Sequence, residues 1–280
     1  MKNRAKPVRV PDLGAMKRRG EKITMLTAYD ATMARLLDRA GIDVLLVGDS
    51  LGMVVMGYDT TVPVTLDMMV HHTQAVVRGT RRALVVADLP FLTYQIDVGE
   101  TMRNAGRLIQ EGGASAVKIE GGHHVVEPTR RLRDAGIPVM GHLGLTPQSV
   151  HQFGGFRPQA RTWEEGERLL EDAIALESAG VFAIVLESIP AEISERVTAA
   201  VSVPTIGIGA GPACDGQVLV SYDMLGLFDE FVPSFVKKYA SLADTVVEAA
   251  KAYAEDIRSN SFPEARHTLT GVRGQDDSQP

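Results

Sequence analysis

The feature that most constrains this chain is a series of short apolar runs closed by polar or charged residues. They read DVLLVGDS (43–50), ALVVADLP (83–90), SAVKIEGG (115–122), IPVMGHLG (137–144), VFAIVLES (181–188) and VPTIGIGAG (203–211). Rich in Val and Ile and apolar without alternation, they suit strands covered on both faces of a parallel sheet. ITMLTAY (23–29) opens the series, and a weaker eighth strand is expected near Glu230 to Val232.

Helical patterns lie between the runs. Asp30 is placed to cap one that closes at Gly41, and Thr65 precedes another that stops at Gly79. Further helices are expected from about Glu100 to Glu111, ahead of Gly136, and from Ser188-Pro190 to Ala200. Thr162 with Glu165 forms a capping box for a helix through Ser178. A β-then-α alternation repeated this often gives a doubly wound sheet or a (β/α)8 barrel. Polar residues at nearly every strand end, rather than at one switch point, favour the α/β TIM barrel with its active site at the carboxyl ends of the strands. The expected organisation is a solvated basic arm and lead-in over 1–20, a barrel with an amphipathic last helix over 21–258, and a disordered polar tail over 259–280.

At 280 residues the chain suits one such barrel, and a net charge of −6 argues against nucleic acid as a partner. The single cysteine, Cys214, excludes an internal disulfide and fits a reducing compartment. No apolar stretch resembles a secretory signal or a membrane span, so a soluble cytoplasmic protein is expected.

The strand ends carry the candidate chemistry. Asp49 and Asp88 would meet at one barrel mouth, where oxygen ligands suit Mg²⁺; singly, each is as well explained as a cap of the following loop. Lys118 and Glu120 are two apart, hence on one face of their strand, and read either as a structural ion pair or as part of the site. A desolvated lysine there also admits Schiff-base chemistry. Glu187 ends a very apolar strand and is a candidate general base, or a helix-start residue. His142 would orient substrate or bond a backbone carbonyl. His71, His72, His123, His124 and His151 have no metal-ligand spacing. GIGAG (207–211) would cradle an anion through its N–H groups or make only a tight turn.

Taken together, TAYD (27–30), VGDSLG (47–52), PVTLD (63–67), ADLPF (87–91), VKIEGG (117–122), GHLGLTPQS (141–149), FGGF (153–156), LES-P (186–190) and GIGAG followed by DGQ (215–217) resemble the ketopantoate hydroxymethyltransferase family, from about residue 8 to 258. His123-His124 and Pro212-Ala213-Cys214 depart from its usual pattern. The resemblance implies a (β/α)8 barrel that uses Mg²⁺ and moves a one-carbon unit from 5,10-methylenetetrahydrofolate to 3-methyl-2-oxobutanoate, giving 2-dehydropantoate for pantothenate biosynthesis. It also implies a homodecamer. By motif, Asp49 and Asp88 resemble metal ligands, with Glu120 a further metal-site carboxylate acting directly or through water. Asp49, Ser50, Asp88, Lys118 and His142 resemble the lining of the keto-acid site, and Glu187 the proton-abstracting base. The alternatives are a Lys118 Schiff-base aldolase, another metal-dependent lyase or mutase on a pyruvate-like acid, or a barrel without catalysis.

Overall fold

A computed structural model describes residues 6–269. Its strands are β1 (Ile23–Thr27), β2 (Val44–Val47), β3 (Leu84–Asp88), β4 (Ala116–Glu120), β5 (Val139–Gly144), β6 (Ala183–Glu187), β7 (Thr205–Ile208) and β8 (Gly216–Leu219). Each is parallel to the next, and β8 pairs with β1 through Ile23↔Gly216 and Met25↔Val218, closing a (β/α)8 barrel. The eighth strand is therefore not at 230–232, which lies in an irregular stretch. The sequence GQVL is too short to announce itself; its alternating burial is set by its neighbours.

The helices in chain order are α1 (Val10–Arg19), α2 (Ala31–Arg39), α3 (Leu51–Val54), α4 (Leu66–Gly79), α5 (Val98–Gln110), α6 (Val126–Asp134), α7 (Val150–Phe153), α8 (Trp163–Ala179), α9 (Ala191–Ala200), α10 (Ser221–Met224) and α11 (Leu242–Arg258). The expected caps form. The Asp30 carboxylate accepts from the N–H groups of Thr32 (2.7 Å) and Met33 (2.9 Å), and Thr162 and Glu165 satisfy each other's backbone N–H. Each removes orphan donors from a helix start, a stabilisation of about 1 kcal/mol.

The period-two direction of strand side chains divides the core. Met25, Val44, Leu46, Leu84, Val86, Ala116, Met140, Ala183, Val185 and Ile206 fill the barrel interior. Their sequence neighbours Leu45, Val85, Val117, Val139, Ile184 and Leu186 pack outward against the helices. Two residues beyond an inward apolar residue the next side chain points inward again. Asp88 follows Val86 in this way, Lys118 follows Ala116, His142 follows Met140 and Glu187 follows Val185. The same alternation that builds the apolar floor therefore delivers polar groups to the carboxyl end.

The amino-terminal segment differs from a solvated arm. Helix α1 brings fully buried Leu13 to the inner cluster. Lys17 Nζ donates to the carbonyls of Thr198, Val201 and Val203, each at 3.0 Å, and pairs with Asp215 at 2.9 Å. A cation with four acceptors at the end of α9 belongs to the fold, although its charge makes it look like a solvent residue. Residues 1–5 of the expected arm and 270–280 of the expected tail lie outside the described residues. Among residues 259–269 there is one 3₁₀ turn, Ala265–His267. Helix α11 has no buried residue and leaves Val246, Val247 and Tyr253 exposed. No helix among the described residues is long and apolar enough to cross a membrane.

Candidate active site

Strand register decides which polar groups meet. Asp88 lies beside Lys118 on adjacent strands, Glu120 beside His142, and Glu187 beside Gly144. Lys118 Nζ sits 3.2 Å from Asp88 Oδ1, 3.5 Å from Glu120 Oε1 and 3.1 Å from His142 Nδ1. His142 joins the two sides of the site, with Nδ1 3.2 Å from Glu120 Oε1 and Nε2 3.2 Å from Glu187 Oε2. Asp49 lies just past β2, and its backbone N–H donates to Asp88 Oδ2 at 3.1 Å. Asp49, Asp88, Lys118, Glu120 and His142 are all buried.

This concentration of charge sets the protonation chemistry. Burial first, then the charges of Asp88 and Glu120, pushes the Asp49 carboxyl well above the usual range. Burial also raises Asp88, against the pull of Lys118. Glu120 goes the other way: burial disfavours its charge, but the charges of Lys118 and His142 and the hydrogen bonds from His142 and the Gln148 N–H outweigh it. Lys118 is held above the ordinary lysine range because Asp88, Glu120 and Asp49 overcome its desolvation. Burial and Lys118 oppose the charged form of His142, yet Glu120 and Glu187 raise it to about 9.

These residues fit a divalent cation. Asp49, Asp88 and Glu120 crowd round the single Lys118 ammonium, and the mutual repulsion that helps raise Asp49 and Asp88 is what a bound cation would relieve. Asp88 Oδ1 is buried and, for all its closeness to Lys118, has no aligned hydrogen bond. An all-oxygen set suits Mg²⁺, which takes one or two carboxylates and keeps water or substrate on its other positions. Among the described residues no group of three or more His, Cys, Asp or Glu side chains is placed to hold a metal ion by itself, so water or substrate would have to complete the coordination.

Ser50 Oγ lies 2.9 Å from the hydroxyl of Tyr29, whose carbonyl is 2.6 Å from Nδ1 of His72. His72 thus holds the backbone of Tyr29, whose ring hydroxyl meets Ser50. A side chain at Gly48 would meet Ser50 Oγ at 2.8 Å, so the glycine lets the Asp49–Ser50 turn close over β3. Glu187 is followed by Ser188 at φ +48°, a left-handed conformation rare for serine. The turn directs the chain away from the barrel immediately after the carboxylate, and such backbone outliers cluster at functional sites. Glu187 is not surrounded only by the apolar residues of its strand; His142 is its close polar neighbour.

Gln148 is not a strand-end residue; it lies in the 3₁₀ turn after β5. Its Nε2 donates to Asp49 Oδ2 at 2.8 Å and to the Leu89 carbonyl at 2.9 Å, and its N–H reaches Glu120 Oε2 at 3.2 Å. Its Oε1 accepts from the buried Tyr94 hydroxyl at 2.7 Å. Gln148 therefore fixes two of the acidic side chains. GIGAG is not an open anion cradle, because Gly209, at φ +60°, lies beneath the ring of Phe235. His123 and His124 are exposed after β4: the His124 ring lies over Gly121, in the space a side chain there would need, and the His123 N–H donates to Asp172 at 2.8 Å. A cavity of about 310 Å³ unites the acidic floor with a rim containing Asp223, Phe228, Phe231 and Phe235.

Residues 7–265 match the family model described as ketopantoate hydroxymethyltransferase. The chain belongs to this family. It is 62% identical to the 3-methyl-2-oxobutanoate hydroxymethyltransferase of Moorella thermoacetica over 94% of this chain and 97% of that one. Its identity to the enzyme of the same name from Syntrophus aciditrophicus is 57%, over 91% and 93% of the two chains. The chain is accordingly an enzyme of the hydroxymethyltransferase class. Among solved structures it resembles a phosphonopyruvate hydrolase complexed with oxalate and Mg²⁺ (TM-score 0.60, 14% identity, 95% of this chain and 92% of that one). It also resembles 2,3-dimethylmalate lyase, a member of the PEP mutase/isocitrate lyase superfamily (TM-score 0.58, 16% identity, 93% and 91%). These two likenesses bear on the fold.

Proposed function

We propose that the chain transfers the one-carbon unit of 5,10-methylenetetrahydrofolate to C3 of 3-methyl-2-oxobutanoate, giving 2-dehydropantoate. Asp49 and Asp88 would hold Mg²⁺, and Glu120 would support it through water. The observation that carries this reading is the convergence of these three buried carboxylates beside Glu187 in one cavity. Glu120 already faces Lys118, His142 and the Gln148 N–H, which favours the indirect role. Bound there, the cation would draw electron density from the 2-oxo group and acidify C3.

The side chains of the protein would do the rest. Lys118 and Ser50 would neutralise and orient the keto acid. Glu187, at the mouth and half-buried, would remove the C3 proton and free that carbon to attack the methylene group. His142, bridging Glu120 and Glu187, would fix the base and supply positive charge as the proton arrives. A lysine held as ammonium by three carboxylates is a poor carbonyl nucleophile, which disfavours the Schiff-base alternative. Reduced-folate and keto-acid use, a cytoplasmic setting and a decamer form one reading; the exposed apolar residues of α11 support the assembly.

The test is exchange of the C3 hydrogen of 3-methyl-2-oxobutanoate into deuterated water. Wild-type enzyme should exchange it without folate, lose the reaction to a chelator and regain it with Mg²⁺, while Glu187→Gln loses it. Near-normal exchange in Glu187→Gln, or inactivation by borohydride with the keto acid, would overturn the assignment.

A further inference from the structure

The cavity contains a carboxylate that the acidic floor does not use. Asp223 lies on α10, just after β8, and lines the same cavity from the opposite side. It is only 7% exposed, yet among the described residues its carboxylate accepts no hydrogen bond and forms no ion pair. Burial raises its carboxyl to about 6, and Lys238 opposes the shift without reaching it. A buried carboxylate is ordinarily paired, because desolvating it alone is costly. The backbone around it is well fixed: the Ser221 N–H donates to Thr27 Oγ1 at 2.9 Å, so α10 is tied to β1.

The chemistry of the cavity divides along the same line. Lys118 is at the acidic floor, where it can meet an anionic keto acid. Asp223 would repel that anion and suits a ligand that presents N–H donors. The rim of the same cavity also carries Phe228, Phe231 and Phe235, with Phe231 59% exposed and Phe235 seated on Gly209. An unpaired acceptor and aromatic side chains in one cavity suit a flat heterocycle with donors along one edge.

We propose that Asp223 recognises the one-carbon carrier. Its two oxygens accept the ring N–H and the adjacent amino group of a 2-amino-4-oxopyrimidine edge while phenylalanines of the rim pack on the ring. This paired geometry resembles the bidentate contact of a guanidinium with a carboxylate. The proposal rests on the reading of the carrier as a reduced folate, and it makes Asp223 a residue of carrier specificity rather than of proton transfer.

The experiment compares wild type, Asp223→Asn and Asp223→Glu. Steady-state turnover at saturating keto acid gives KM for 5,10-methylenetetrahydrofolate, and C3–H exchange without folate reports the floor alone. In Asp223→Asn one acceptor becomes a donor aimed at a donor. KM should rise about 10–100-fold with a much smaller change in kcat, exchange should stay within about twofold, and Asp223→Glu should recover part of the loss. An unchanged KM with normal exchange overturns the proposal. A wild-type enzyme that exchanges C3–H but does not turn over with the folate overturns the functional reading instead. Binding of tetrahydrofolate and its 2-desamino analogue to unmodified enzyme gives a result independent of any variant. The analogue should bind at least about tenfold more weakly, and equal binding refutes the role of Asp223.

Discussion

Replacing Lys118 with Met removes the one ammonium from the acidic floor while keeping a similar volume. Its contacts to Asp88 at 3.2 Å and Glu120 at 3.5 Å are each worth about 5 kcal/mol of attraction at an effective dielectric near 20, before desolvation is counted. Desolvation of the lysine returns much of this, and breaking a buried pair by removing one partner costs about 3–5 kcal/mol net. That is the expected loss of unfolding free energy at pH 8. Its pH dependence has a definite sign. The folded-state values of Asp49 and Asp88 already lie above their ordinary ones, and losing Lys118 raises them further. The native state then binds protons that the unfolded chain releases, so stability is regained as pH falls from 8 towards the usual carboxylate range. Urea unfolding followed by circular dichroism at pH 8 and pH 5.5 measures this. The deficit at pH 5.5 should be no more than about half that at pH 8, and millimolar Mg²⁺ should reduce it at pH 8. An equal deficit at both pH values would show that lost packing, not uncompensated charge, explains the effect.

Two further substitutions separate the parts of the fold. Gln148→Leu leaves the Tyr94 hydroxyl and the Leu89 carbonyl without partners and frees the Asp49 side chain; a stability loss of about 2–4 kcal/mol by urea titration should accompany at least a tenfold rise in the Mg²⁺ concentration for half-maximal C3–H exchange. Leu13→Ala should cost about 2–5 kcal/mol in the same unfolding assay and leave the Mg²⁺ requirement unchanged, because α1 closes the end of the barrel away from the chemistry.

Most of the barrel was legible because seven strands are apolar on both faces and end in a change of character, as at Val86–Asp88 or Leu186–Glu187. The same parity made Asp88, Lys118, His142 and Glu187 readable: a polar residue two places after an inward apolar one must point into the barrel. β8 escaped because four residues containing Gly and Gln match a turn as well as a strand, and only pairing to β1 and β7 selects between them. Without a recognisable β8, no strand end in the sequence points to Asp223. Lys17 misled for a different reason, since its charge is met by carbonyls nearly two hundred residues away that no local pattern reveals. Gln148 lay within the GHLGLTPQS block, but a neutral amide carries no signal of its own. Its importance comes from the groups on either side of it.

The central claim is that Asp49 and Asp88 create one divalent-ion site at the barrel mouth. Electron paramagnetic resonance of Mn²⁺, titrated into the enzyme at pH 7.5 and then displaced by Mg²⁺, measures it without relying on turnover. The expected result is one displaceable ion per chain in the wild type and at least about a hundredfold weaker binding in Asp88→Asn, with a comparable loss in Asp49→Asn. Wild-type affinity in either variant, in a protein with unaltered circular dichroism, would contradict the account.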